Sequence, residues 1–126
     1  KLFMRKTSPK REYKDYVSDI ADSINKIEKF VGNFSFGEFQ KDEKTIYAVV
    51  RAIEIIGEAI KNIPASVKNK HKKIPWRDAA DMRNKLIHEY FGVNLKVVWK
   101  AVKEDIPELK GTMLELLKEL KINKLI

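Results

Sequence analysis

The chain has 126 residues, 44% of them hydrophobic, which suits one globular core and is too short for two. It has no Cys, which excludes a disulfide framework, a thiolate metal site and a thiol nucleophile. Lys and Arg number 26 against 18 Asp and Glu, and the net charge of +8 favours a polyanionic partner. The excess is nearly all lysine, however, and lysine-rich solvated faces account for it equally well. No signal-like stretch opens the sequence, and no apolar run approaches the ~20 residues of a membrane span. The reading expects a single domain over residues 1–126, with 1–7 as a flexible tail, located in the cytoplasm and away from membranes.

Ser8-Pro9 reads as a helix start, a capping hydroxyl followed by proline in the first turn. Tyr13, Val17, Ile20, Ile24, Ile27 and Val31 then recur at spacings of four and three, predicting an amphipathic helix over about 9–31 that Gly32-Asn33 ends. Phe34, Phe36 and Phe39 read as a loop folded over the end of the core. Asp42 caps a second helix, about 42–62, with Ile46, Val49, Val50, Ile53, Ile56 and Ile60 on its inner face. Gly57 inside it costs about 1 kcal/mol relative to alanine, and close approach of another helix would explain it. Pro64 stops that helix. The stretch 64–74 reads as a basic loop carrying Lys68, Lys70, His71, Lys72 and Lys73.

A third helix runs from Pro75-Trp76 to Phe91-Gly92. Asn94 is placed to cap a fourth, with Leu95, Val98, Trp99 and Val102 inward. Pro107 marks a break or kink before a last helix carrying Leu109, Met113, Leu116, Leu117 and Leu120. No strand-like alternation appears. The fold class expected is all-α, an up-and-down bundle of four main helices plus a C-terminal helix.

On the third helix, at about 100° per residue, Trp76, Ala79, Ala80, Leu86, Ile87 and Tyr90 fall within about 60° of Arg83. A guanidinium keeps its charge, so an arginine within an apolar stripe lines a wet groove, meets an acid, or waits for an anion. Glu54, Glu58 and Asp81 are the candidate acids. His88, about 140° round from Arg83, suits a helix cap or a satisfied core position as well as a site. Tyr90 suits a core residue with its hydroxyl at the rim. His71 reads as solvated, and the lysines around it as surface or as candidate phosphate contacts.

Two His and no Cys give no zinc spacing, and there is no Gly-rich phosphate loop or serine nucleophile motif, so no cofactor is called for. What remains is arginine, histidine and tyrosine on one helix of a basic chain. Arginine and histidine are the minimum set for cutting RNA without a metal. Histidine moves protons near neutral pH, arginine stabilises a pentacovalent phosphate, and the RNA supplies its own 2′-hydroxyl nucleophile.

The run Arg83-Asn84-Lys85-Leu86-Ile87-His88-Glu89-Tyr90 resembles the R-x-x-x-x-H-x-Y motif of HepT-type proteins in the HEPN superfamily. The flanking Ile74-Pro75-Trp76, Ile55-Ile56-Gly57-Glu58-Ala59, Tyr90-Phe91-Gly92-Val93 and Val98-Trp99 fit the same family, over roughly residues 13–120. Two positions depart from the pattern: Asn94, where an aspartate is expected, and Asp81, where glycine is common. The resemblance implies a homodimeric toxin acting as a metal-independent RNA endonuclease. It also implies a minimal nucleotidyltransferase antitoxin that transfers AMP to the motif tyrosine. Carried over, Arg83 and His88 are the catalytic pair, Asn84 a positioning residue and Tyr90 the modified residue. The alternatives are a non-catalytic nucleotide- or substrate-binding partner of a nucleotidyltransferase, and an inactive scaffold.

Overall fold

The structure, a computed structural model, describes residues 10–125 apart from 91–93, and for 87–90 the backbone alone. It is all-α, with no strand among the described residues. Helix α1 spans Tyr13–Val31 and begins later than Ser8-Pro9 suggests, a pair that, like the expected tail, lies outside the described residues. Its first turn is fixed by the Glu12 backbone N–H, which donates to Asp15 Oδ2 at 2.9 Å. Gly32 ends it at φ +50°, where its N–H reaches the Glu28 carbonyl, a conformation natural to glycine.

The expected aromatic loop contains a short helix, α2 (Phe36–Lys41). Ser35 and Glu38 close a capping box around its start, and Phe39 is fully buried. Helix α3 (Glu43–Lys61) starts where Asp42 predicts, with Asp42 Oδ1 accepting from the Thr45 N–H at 3.0 Å. Its inner face, with Val49, Ile53 and Ile56 wholly buried, packs between α1 and helix α5 (Trp76–Tyr90). It is the central element of the bundle.

Between α3 and α5 the chain is not a plain loop. Pro64 ends one helix but also starts α4 (Ala65–Lys70), standing at its N-cap with extended ψ 147°. After α5, helix α6 (Leu95–Lys100), a π-helical turn (Ala101–Asp105) and α7 (Ile106–Glu119) follow without interruption. Asn94 occupies the N-cap of α6, but its side chain makes no cap hydrogen bond; its carbonyl accepts from the Val97 N–H at 3.0 Å. Pro107 does not break the rod. The wider turn before it, in which the Ile106 N–H reaches back to the Ala101 carbonyl, admits the proline ring while Asp105 and Ile106 keep helical dihedrals.

Trp99 of α6 packs on Phe36 and Phe39 at centroid distances of 6.0 and 5.1 Å, covering the end of the core that α2 closes. The chain leaves α7 through Lys121 at φ +58°, and Ile122 and Leu125 are buried in the same core. Lys124 Nζ meets Asp22 of α1 at 2.9 Å, so the final segment is tied across the bundle. No helix among the described residues is long and apolar enough to cross a membrane.

Candidate active site

The sequence pattern places Arg83 amid an apolar stripe of α5; the structure moves it to the stripe's edge. Among the described side chains of that helix the buried ones are Ala79, Met82 and Leu86, while Trp76, Ala80 and Arg83 are half-buried beside them. Arg83 is held there by a glycine. A Cβ built on Gly57 of α3 would stand 2.7 Å from Arg83 Cβ and 2.9 Å from its Cδ. The aliphatic stem of the arginine therefore lies directly on the backbone of α3, which is the close helix approach that Gly57 suggested.

Among the described residues the guanidinium has no acidic counterpart. Arg83 Nε is buried and has no hydrogen-bond partner. Among the described residues, none of the candidate acids pairs with Arg83 within the 4.0 Å of an ion pair. Glu58 instead faces Arg51, at a long 3.9 Å, and Asp81 is exposed. A buried N–H without a partner costs about 1–3 kcal/mol. A cation fixed by its stem and left without a carboxylate is suited to an anion arriving from outside.

Asn84, one position on, is exposed. His88 and Tyr90 lie on the last turn of α5, and their side chains are outside the described residues. Helix geometry puts Tyr90 seven residues beyond Arg83, about 10 Å along the axis and within about 20° of it, whereas His88 is about 140° round. One helix thus carries the arginine and the tyrosine on one line and the histidine off it.

The basic segment divides. Lys68 and Lys70 belong to α4, and Lys72 and Lys73 to the turn after it. His71 is not solvated as its lysine neighbours suggest. Its side chain is only 10% exposed, and Nε2 meets Glu119 Oε2 of α7 at 3.1 Å. Lys70 Nζ takes the other oxygen of Glu119 at 3.2 Å, and the His71 carbonyl accepts from Trp76 Nε1 at 3.1 Å. That cluster ties the start of α5 to the end of α7. Lys68 and Lys72 make no ion pair with it, although Lys72 borders the same cleft, and both line a groove with Arg77, a residue the motif does not point to; its only sequence signal is its place directly after Pro75-Trp76.

A helical bundle on a chain of net charge +8, with an arginine that has no acid partner among the described residues, suits the handling of anions. The profile of the ribonuclease HepT-like family matches residues 20–116, and the chain belongs to that family. It is 59% identical over 102 residues to a protein of Thermococcus cleftensis described as a probable ribonuclease HepT, an alignment covering 81% of this chain and 93% of that one. A protein of Caldanaerobacter subterraneus subsp. tengcongensis, provisionally described as an RNase, is 43% identical over 82% of this chain and 93% of its own. A longer protein of Methanocaldococcus jannaschii, described as a gamma-glutamylcyclotransferase and, provisionally, an RNase, is 43% identical over 91% of this chain and 52% of its own. No solved structure matches the chain.

Proposed function

We propose that this chain is a metal-independent RNA endonuclease, the toxin of a toxin–antitoxin pair, with Arg83 and His88 as its catalytic pair. The observation that carries the reading is the guanidinium of Arg83, seated on Gly57 with its Nε unpartnered and no acid paired with it among the described residues. In the reaction the RNA 2′-oxygen attacks the adjacent phosphorus as its proton leaves. The bond from phosphorus to the 5′-oxygen breaks, and that oxygen takes up a proton. Products are a 2′,3′-cyclic phosphate and a 5′-hydroxyl. His88 handles the protons and Arg83 holds the phosphoryl oxygens, where charge accumulates in the transition state. Asn84, exposed beside Arg83, positions the strand.

Tyr90 is the control point. A nucleotidyltransferase antitoxin would transfer AMP from ATP to its hydroxyl, releasing pyrophosphate. Each AMP adds a negative charge and a nucleoside on the line of α5 that holds Arg83, opposing RNA both electrostatically and sterically.

The deciding experiment is cleavage of RNA by the purified chain in EDTA. Activity should persist, leave a 2′,3′-cyclic end and fail on a substrate with a 2′-deoxy residue at the scissile position. His88→Ala should lose about 10²–10⁴-fold in rate. A strict metal requirement, or full activity in His88→Ala, overturns the assignment. Mass spectrometry after co-expression with the nucleotidyltransferase should find AMP on the peptide containing Tyr90, and Tyr90→Phe should escape silencing.

A further inference from the structure

The lysine-rich segment before α5 has two faces, and only one of them is neutralised. On the face toward α7, Lys70 and His71 share Glu119, and Glu115, Lys73 and Lys72 line the same cleft, Lys72 standing at the border of both faces. On the other face is an open groove of about 360 Å³ lined by Lys68, Lys72, Pro75, Trp76, Arg77 and Asp78. None of its three cations has an ion pair or side-chain hydrogen bond among the described residues, and Asp78 is its one carboxylate. Its apolar members are Ile74, Pro75 and the half-buried indole of Trp76. The indole's orientation is fixed, because Trp76 Nε1 donates to the His71 carbonyl at 3.1 Å.

Cations that have no protein partner, set around an aromatic ring, form the usual platform for a single strand: phosphates on the cations, a base against the ring. We infer that this groove is a positioning subsite for single-stranded RNA, with Lys68, Lys72 and Arg77 taking backbone phosphates and Trp76 a base. The inference rests on the ribonuclease reading and extends it. Trp76 lies seven residues before Arg83 on the same helix, about 10 Å away along the axis and within about 20° of it. A strand seated in the groove is thereby led along α5 toward the arginine. Lys70 does not line this groove, and its ammonium turns to Glu119 on the other face.

The test uses the full chain and a short fluorescein-labelled strand that is wholly 2′-O-methylated, so that it binds without being cut. In single-strand binding each phosphate contact contributes about 0.7 to the slope of log affinity against log salt. The triple variant Lys68→Ala/Lys72→Ala/Arg77→Ala should therefore lower that slope by about 2. On cleavable RNA it should raise KM and leave kcat unchanged. Its thermal melting should match the parent, since these side chains have no partners to lose. Lys70→Ala should change neither slope nor KM, and Asp78→Asn should tighten binding. The strand should quench tryptophan fluorescence in Trp99→Phe protein and fail to do so in Trp76→Phe protein, whose ring keeps the shape but loses the indole.

An unchanged slope in the triple variant, or an equal loss in Lys70→Ala, overturns the subsite. So does equally tight binding of duplex DNA that the triple variant loses in the same measure, which would mean an unselective polyanion surface. The two readings fail separately. A parent chain that cuts RNA with a KM indifferent to the triple substitution removes the groove and leaves the nuclease. A parent chain that cuts nothing, yet binds the strand through these residues, removes the nuclease and leaves the groove.

Discussion

Gly57 and Arg83 meet so closely that a single methyl group between them has to move a helix. The atom in the way is Arg83 Cβ at 2.7 Å, and a Cβ goes only where its backbone goes. Alanine in mid-helix gains about 1 kcal/mol over glycine in propensity, while overpacking a tight site costs about 1–3 kcal/mol. Gly57→Ala is therefore expected to destabilise by about 1 kcal/mol net and to lower activity by displacing the guanidinium. Arg83→Ala should not relieve the strain, because its Cβ remains, whereas Arg83→Gly should. Urea denaturation of the three single variants and the two doubles that combine Gly57→Ala with each Arg83 change reads this directly, and a more stable Gly57→Ala protein would contradict the contact. At this scale the sequence was informative in an uneven way. Gly57 inside an apolar helix and Arg83 near an apolar stripe were each visible as oddities. That one explains the other was not, since they lie 26 positions apart. His71 reads as solvated for the same reason: its partner Glu119 is remote in the chain, and its neighbours are lysines.

Short helices were the elements least legible from the pattern. Six residues give too few turns for periodicity to show, so in the sequence α2 and α4 look like loops. The capping pattern Ser35-x-x-Glu38 was the available signal for α2, hidden beneath three phenylalanines that suggested loop packing. At that cap the Ser35 backbone N–H donates to Glu38 Oε1 at 2.9 Å and the Glu38 N–H donates to Ser35 Oγ at 3.1 Å. The bond from the Ser35 backbone, then that with its side chain, holds the Glu38 carboxyl below its ordinary range. A carboxyl depressed in the folded state binds its proton more weakly there than in the unfolded chain. Its contribution is therefore complete above the ordinary glutamate range and is lost as pH falls through the depressed folded value. Glu38→Gln should consequently lose stability at neutral pH and show a shallower decline on the acid side. Thermal melts taken from neutral pH downward check this, and parallel curves for the two proteins would count against the cap. The long helices were plain because Asp42, Gly32 and the apolar spacings agree with one another, and agreement between cap and stripe is what makes a boundary readable.

For the molecule as a whole, the angular separation on α5 has a consequence for assembly. A histidine about 140° round from the arginine cannot easily share one phosphate with it on the same helix. Two copies facing across a two-fold axis would bring both pairs into one cleft. A dimer with α5 at or near its interface is therefore expected, and sedimentation at micromolar concentration should find it. A mixed dimer of one Arg83→Ala and one His88→Ala chain should recover part of the activity that each homodimer lacks. A strict monomer would remove the composite site. The all-α class follows from spacing alone; the way α3 sits between α1 and α5 does not, because helix order in space depends on which stripes face each other.

The π-helical turn at 101–105 holds one residue more than an α-turn needs, and this gives the longest rod of the bundle a residue to spare. Deleting Glu104, exposed within it, would let that turn tighten to an ordinary α-turn while Ile106, Leu109, Met113 and Leu116 keep facing the core. Deleting Arg51, equally exposed but in the middle of α3, would swing one half of that helix by about 100° against the other and turn its isoleucines out of the core. The first protein should melt cooperatively within a few degrees of the parent, and the second should fail to fold. In length, then, this helical chain is tolerant at one place along the rod and exacting along its central helix.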